Sequence, residues 1–166
     1  MRILGIDPGL QRTGYGVVET TGAGPGAMRL VEGGVIRTDA DGSLEDRLSE
    51  IHQGLEAVIA EFRPDTVAVE QLYSHYKHPR TAILMGHARG IVFLAAAQAH
   101  VPVVSYGATR IKKALTGSGH ASKHQMQRAI ASAFGLKADP EPADVADALA
   151  VALCHAHQAA RVEVQR

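Results

Sequence analysis

Ile3-Leu4-Gly5-Ile6-Asp7-Pro8-Gly9, continued by Thr13-Gly14-Tyr15-Gly16-Val17-Val18, decides how the rest of this chain is read. A β-type apolar run leads straight into a carboxylate. Pro8-Gly9 then stops the strand, because proline removes a ladder donor and Pro-Gly marks a turn. A second β-rich run, Tyr15 to Thr20, follows closely enough to pair back as a hairpin. Asp7 therefore falls at or near the end of a strand that reads as buried on both faces. An isolated ionised carboxylate is costly there unless something positive meets it. Asp7 either caps the Pro-Gly turn or binds a metal at the centre of an active site, and the other acids of the chain bear on that choice.

A third β-like run, Met28 to Thr38, completes an expected antiparallel trio after the Gly-rich connection Thr21 to Gly26. Ser43 or Asp41 can cap the next element. From Leu44 to Phe62 apolar residues recur at three- and four-residue spacing, which predicts an amphipathic helix closed by Arg63-Pro64-Asp65. Thr66-Val67-Ala68-Val69 reads as a buried strand, and it ends on Glu70. The design of Asp7 is repeated: a buried strand delivers an acid at its carboxyl end, where open α/β sheets hold their ligands.

A polar and aromatic loop, residues 71–79, carries Tyr73, Tyr76 and Lys77. A long helix is expected from Arg80 to His100, with Gly86, Gly90, Ala82 and Ala95-Ala96-Ala97 giving it a small-residue face. That face serves either core packing or a helix-to-helix dimer contact. Val101 to Tyr106 reads as a further strand. Two helical stretches follow, Ala108 to Leu115 and Ser122 to Phe134, separated by a Gly-rich turn. Lys112 and Lys113 lie on the first, Lys123 and Arg128 on the second. His120 and His124 are four apart but lack the further ligands of a zinc set, and read as surface residues. The last helix starts near Pro142, a residue suited to a first turn. Asp144 and Asp147, three apart, share one of its faces. Either alone would serve the helix dipole, but beside an apolar stripe, and after two strand-end acids, the pair points to a shared metal site.

At 166 residues one domain is expected. No basic region followed by an apolar run opens the chain, so no signal peptide is expected. Ile91 to Ala99, the most apolar segment, is too short to span a bilayer. Cys154, the only cysteine, reads as a small buried hydrophobe in a reducing cytoplasm. Net charge is zero, yet residues 1–70 carry 6 Lys and Arg against 12 Asp and Glu. Residues 71–137 carry 9 basic residues and no acid, and residues 138–166 carry 2 against 5. A basic segment without carboxylates suits a polyanionic partner.

Four carboxylates, Asp7, Glu70, Asp144 and Asp147, would repel one another at close range unless hard divalent cations met them. Two ions about 4 Å apart can clamp the attacking water and the leaving oxygen of a phosphodiester. With the basic segment, this is a nuclease pattern.

The chain closely resembles the RuvC family of Holliday-junction resolvases, in Gly5-Ile-Asp-Pro-Gly9, Thr13-Gly-Tyr-Gly16, Val69-Glu70-Gln71 and Ala143-Asp-Val-Ala-Asp-Ala-Leu-Ala150. Order, spacing and total length agree nearly end to end. The resemblance implies an α/β, ribonuclease-H-like mixed sheet of three antiparallel plus two parallel strands flanked by helices, one nuclease domain over 1–166. It implies that Asp7, Glu70, Asp144 and Asp147 are catalytic metal ligands for Mg²⁺, with Mn²⁺ able to substitute and two ions per site. Some members carry His at the position of Asp144. Tyr73 corresponds to the family's aromatic wedge, often Phe, and conserved basic residues fall on Lys112 and Lys123, with Lys113 beside them as a DNA contact. Members are cytoplasmic homodimers, paired largely through the helix matching residues 80–98. They nick two opposing strands of four-way junction DNA in recombination and repair. They work with a branch-migration motor of the RuvA and RuvB type, without a membrane. An actin-like phosphotransferase would need a second lobe that 166 residues do not hold. A non-catalytic relative would have lost the acids, and all four are present.

Overall fold

The computed structural model describes residues 1–22, 27–72 and 79–164. Five strands form one sheet: β1 (Arg2–Asp7), β2 (Arg12–Thr20), β3 (Met28–Arg37), β4 (Thr66–Glu70) and β5 (Val103–Tyr106). Their spatial order is β3-β2-β1-β4-β5. β1, β2 and β3 pair antiparallel, while β4 lies parallel to both β1 and β5. The expected mixed sheet is present, flanked by α1 (Leu44–Phe62), α2 (Pro79–Gln98), α3 (Ala108–Thr116), α4 (Lys123–Phe134) and α5 (Ala143–Val164).

The strand period of two sends alternate residues of β1 to different cores. Leu4 and Ile6 join Val67 and Val69 against the buried sides of α1 and α2. Ile3 and Ala68 face the opposite way, into a core built on α5 with Leu149 and Leu153. Asp7 and Glu70 fall in step with Ile3 and Ala68, so both point to the α5 face.

α5 lies very close to the sheet, and glycines allow it. A Cβ on Gly5 would collide with the carbonyl oxygen of Ala148, and one on Gly14 with that of Asp144. Boundaries differ from the sequence reading mostly by a residue or two. The start of β2 is the larger change: it begins at Arg12, not Tyr15. Thr13 is fully buried there, and its hydroxyl satisfies itself by donating to the Gly9 carbonyl at 2.8 Å. The ladder therefore extends to an Asp7–Gly14 pair.

The small residues of α2 divide between two environments. Ala95 and Ala96 are buried in the core, whereas a Cβ on Gly86 or Gly90 would meet open space. Ile83, Phe93 and Leu94 are exposed around them. As a whole, α2 is long and apolar enough to cross a membrane, unlike the shorter run Ile91–Ala99. Its Ala88, Val92, Ala95 and Ala96 face is part of the protein core instead. Cys154 is fully buried, and burial pushes its thiol up to about 11.

Candidate active site

Parallel pairing of Ile6 with Val69 sets the next residues, Asp7 and Glu70, side by side at the carboxyl ends of β1 and β4. The first turns of α5 cross over that edge. Val145 N–H and Ala146 N–H donate to the Pro142 carbonyl, which starts the helix and carries Asp144 and Asp147 towards the strand ends. Gly14 is the hinge point of the assembly: it pairs with Asp7 and lies beneath the backbone of Asp144.

The acids act on one another's protonation. Asp7 is raised from 3.8 to about 7, first by burial, then by the charges of Asp147, Glu70 and Asp144, with Lys123 opposing. Burial raises Glu70 as well, and Asp147 adds to it while Lys112 pulls it down. Asp147 is more open to solvent than Asp7. Partial desolvation still raises it, Lys123 offsets this, and Asp144 adds to it. Among the described residues no three His, Cys, Asp or Glu side chains already close round a single point as a metal cage. The donor set nevertheless fits a hard divalent ion, being all carboxylate oxygen in a partly dry setting.

Lys112 of α3 and Lys123 of α4 line a cleft of about 220 Å³ together with Glu70, Asp147, Ile111 and Met126. Lys123 is the first residue of α4, and a capping box fixes that turn. Gln125 N–H donates to Ser122 Oγ, and Ser122 N–H donates to Gln125 Oε1. A second cleft of about 160 Å³, on the other side of the acid pair, is lined by Asp7, Glu70, Leu72, Ala82 and Met85. A larger groove, about 630 Å³, lies against Arg63, Pro64 and His100 at the opposite end of the parallel strands, away from the acids.

Lys113 departs from its neighbour. It lines a separate groove with Arg110 and Gln158, so the two lysines serve different surfaces. His120 and His124 are exposed. Tyr73, expected as the wedge, lies outside the described residues. Two arginines were missed by sequence reasoning. Arg12 Nη1 stands 3.7 Å from Asp144 Oδ2, and Arg89 binds the strand end that carries Glu70. Arg12 falls between the two opening stretches, but nothing in its spacing points to an acid 132 positions away.

The model of the crossover junction endodeoxyribonuclease RuvC family matches residues 3–155. This chain belongs to that family. A crossover junction endodeoxyribonuclease RuvC of Rhodopirellula baltica is 54% identical over 92% of this chain and 84% of its own length. The structure of Thermus thermophilus RuvC superposes with a TM-score of 0.90 at 40% identity, covering 98% of this chain and 97% of that one. The same Thermus protein in complex with a Holliday junction substrate gives a TM-score of 0.88, covering 98% and 96%. The sequence-based expectations of family and fold are both met. Members are nucleases that hydrolyse DNA phosphodiester bonds.

Proposed function

We propose that this chain, as one nuclease domain over 1–166, resolves Holliday junctions by metal-dependent nicking of two opposing strands. The observation that carries the reading is the set of four acids at one sheet edge, flanked by Lys112 and Lys123, in a chain of this family. Asp7, Glu70, Asp144 and Asp147 would hold Mg²⁺, or Mn²⁺ in its place, as two ions. Bound there, the metal would supply a polarised water and charge stabilisation for the leaving oxygen. The chain's own residues do the rest. The acids at the ends of β1 and β4 and the start of α5 would hold the ions, and the two lysines would bind the phosphate backbone beside them. Tyr73 offers an aromatic face for a base of the opened junction. Lys113 holds backbone along the adjoining groove.

Two sites, each cutting one strand, require two copies. The exposed Ile83, Phe93 and Leu94, set around the open Gly86 and Gly90, favour α2 as the helix of a homodimer. Such small residues let helices approach closely. The enzyme then works on junctions in the cytoplasm, with a RuvA- and RuvB-type branch-migration motor. Neither an actin-like phosphotransferase nor a non-catalytic binding protein gains support from this fold and its retained acids.

Incubation with a synthetic four-way junction, with Mg²⁺ or Mn²⁺ and with chelator, tests the reading. Paired nicks near the crossover are expected only with metal. Cutting of linear duplex at the same rate as the junction would refute the junction assignment.

A further inference from the structure

Arg89 reaches from α2 to the end of β4 without touching the acid side chains. Its Nε donates to the Glu70 carbonyl at 3.2 Å, and its Nη2 donates to Ser105 Oγ at 2.8 Å. Ser105 is the neighbour of Val69 across the β4–β5 pair, so one guanidinium ties two adjacent parallel strands at their carboxyl ends. The guanidinium carbon also lies 4.6 Å from the centre of the Phe93 ring. Phe93 is one α2 turn further on, and 37% exposed. A planar fork with several fixed donors can meet a carbonyl, a hydroxyl and a ring face together, which a lysine ammonium cannot.

The location gives the contact its meaning. Glu70 is the last residue of β4 and is paired there with Tyr106 of β5. Its N-terminal neighbours are fixed by pairing and by the core. The N–H of the peptide that leaves Glu70, carried by Gln71, donates to the Tyr106 carbonyl at 2.9 Å. One peptide unit is thus held twice, at its N–H by the Tyr106 carbonyl and at its C=O by Arg89, which comes from the face opposite to the Glu70 carboxylate.

We infer that Arg89 is a positioning residue for the reaction: its bonds to the Glu70 carbonyl and to Ser105 set the direction in which Glu70 presents its carboxylate to metal. The inference rests on the proposal that Glu70 is a metal ligand. Loss of the fork leaves that peptide on its single bond to Tyr106, about which it can tilt, and this weakens metal binding and slows the cut while leaving junction affinity alone.

The test uses the full-length protein and the variants Arg89→Lys and Ser105→Ala. Mn²⁺ binding is read by calorimetry without DNA, and single-turnover cutting and junction affinity are read separately. Arg89→Lys keeps the charge and loses the fork. It is expected to weaken Mn²⁺ binding and to cut roughly tenfold to a hundredfold more slowly at saturating junction, as misplacement by about 1 Å does elsewhere. Higher Mn²⁺ should recover part of the rate. Ser105→Ala removes a single anchor and should shift both readings in the same direction by less, and it serves if Arg89→Lys does not fold. Parent-level Mn²⁺ binding and cutting in a folded Arg89→Lys, or in Ser105→Ala where that variant alone folds, would overturn the inference. Failure of the parent itself to bind Mn²⁺ would instead overturn the reading of the acids, and the inference with it.

Discussion

Gly14 lies in backbone contact with Asp144, so that a methyl group on Gly14 would collide with the Asp144 carbonyl oxygen. Since Gly14 is also the ladder partner of Asp7, one residue without a side chain sets the distance between a strand acid and a helix acid. Gly14→Ala should therefore lift the start of α5. Overpacking of this kind costs about 1–3 kcal/mol, and cutting should fall further than stability does. Urea unfolding and a junction-cleavage assay check this. Near-parent values in both would mean that α5 does not depend on the close approach.

The acids should make stability fall as pH rises. Asp7 is raised from 3.8 to about 7, so the folded chain keeps a proton that the unfolded chain releases between those values. Stability present at low pH is then lost on going from about pH 4 to pH 7. At about 1.4 kcal/mol per pH unit, the upper bound is roughly 4 kcal/mol. Glu70 and Asp147, raised as well, act with the same sign. In chelator at pH 8, Asp7→Asn should be more stable than the parent, and the gap should shrink at pH 5. Added Mg²⁺ should stabilise the parent more than the variant. Identical pH dependence of unfolding in the two proteins would remove Asp7 as the source.

How much of this was legible in the sequence depends on distance along the chain. Asp7 and Glu70 were readable because each ends a short apolar β-run, and such runs reveal strand ends locally. Asp144 and Asp147 were readable as a pair from helical spacing. That α5 crosses the sheet over Gly5 and Gly14 was not, because a glycine in a strand looks the same whether a helix or a solvent layer covers it. Arg12 and Arg89 stayed hidden for a related reason: their partners are fixed by tertiary packing and not by spacing. The small-residue pattern of α2 mixed two roles, and only burial separated Ala95 and Ala96 from Gly86 and Gly90.

The α2 face should behave as an interface. Leu94→Glu places a charge on an exposed apolar position and should give monomers by analytical ultracentrifugation, with helix content unchanged. Gly90→Ala meets open space within one chain, so removal of a mid-helix glycine should stabilise a monomer by about 0.5–1 kcal/mol. A dimer that survives Leu94→Glu would put the contact elsewhere.

The three lysines should separate by function. Lys112 and Lys123 share a cleft with Glu70 and Asp147, while Lys113 lines another groove. Each phosphate contact contributes a slope of about 0.9 in log affinity against log salt on duplex DNA. All three alanine variants should flatten that slope. Only Lys112→Ala and Lys123→Ala should also slow the cutting of junction already bound. An equal rate loss in Lys113→Ala would place its groove on the path of the cut strand.

Symmetry gives the last prediction. A four-way junction presents two equivalent strands, and an isologous dimer presents two equivalent sites. Within one chain the acids come from β1, β4 and α5, so a site draws on a single copy for all four. Each site should then nick one strand, at positions related by the two-fold axis, leaving ends that a ligase can seal. Mixed dimers with one Asp7→Asn subunit isolate the claim, provided that subunit exchange is slow over the assay. Such a dimer should bind the junction like the parent, nick a single strand, and fail to resolve the junction in one encounter. Bilateral cutting by verified mixed dimers would mean that one site serves both strands in turn, and the two-site mechanism would be wrong.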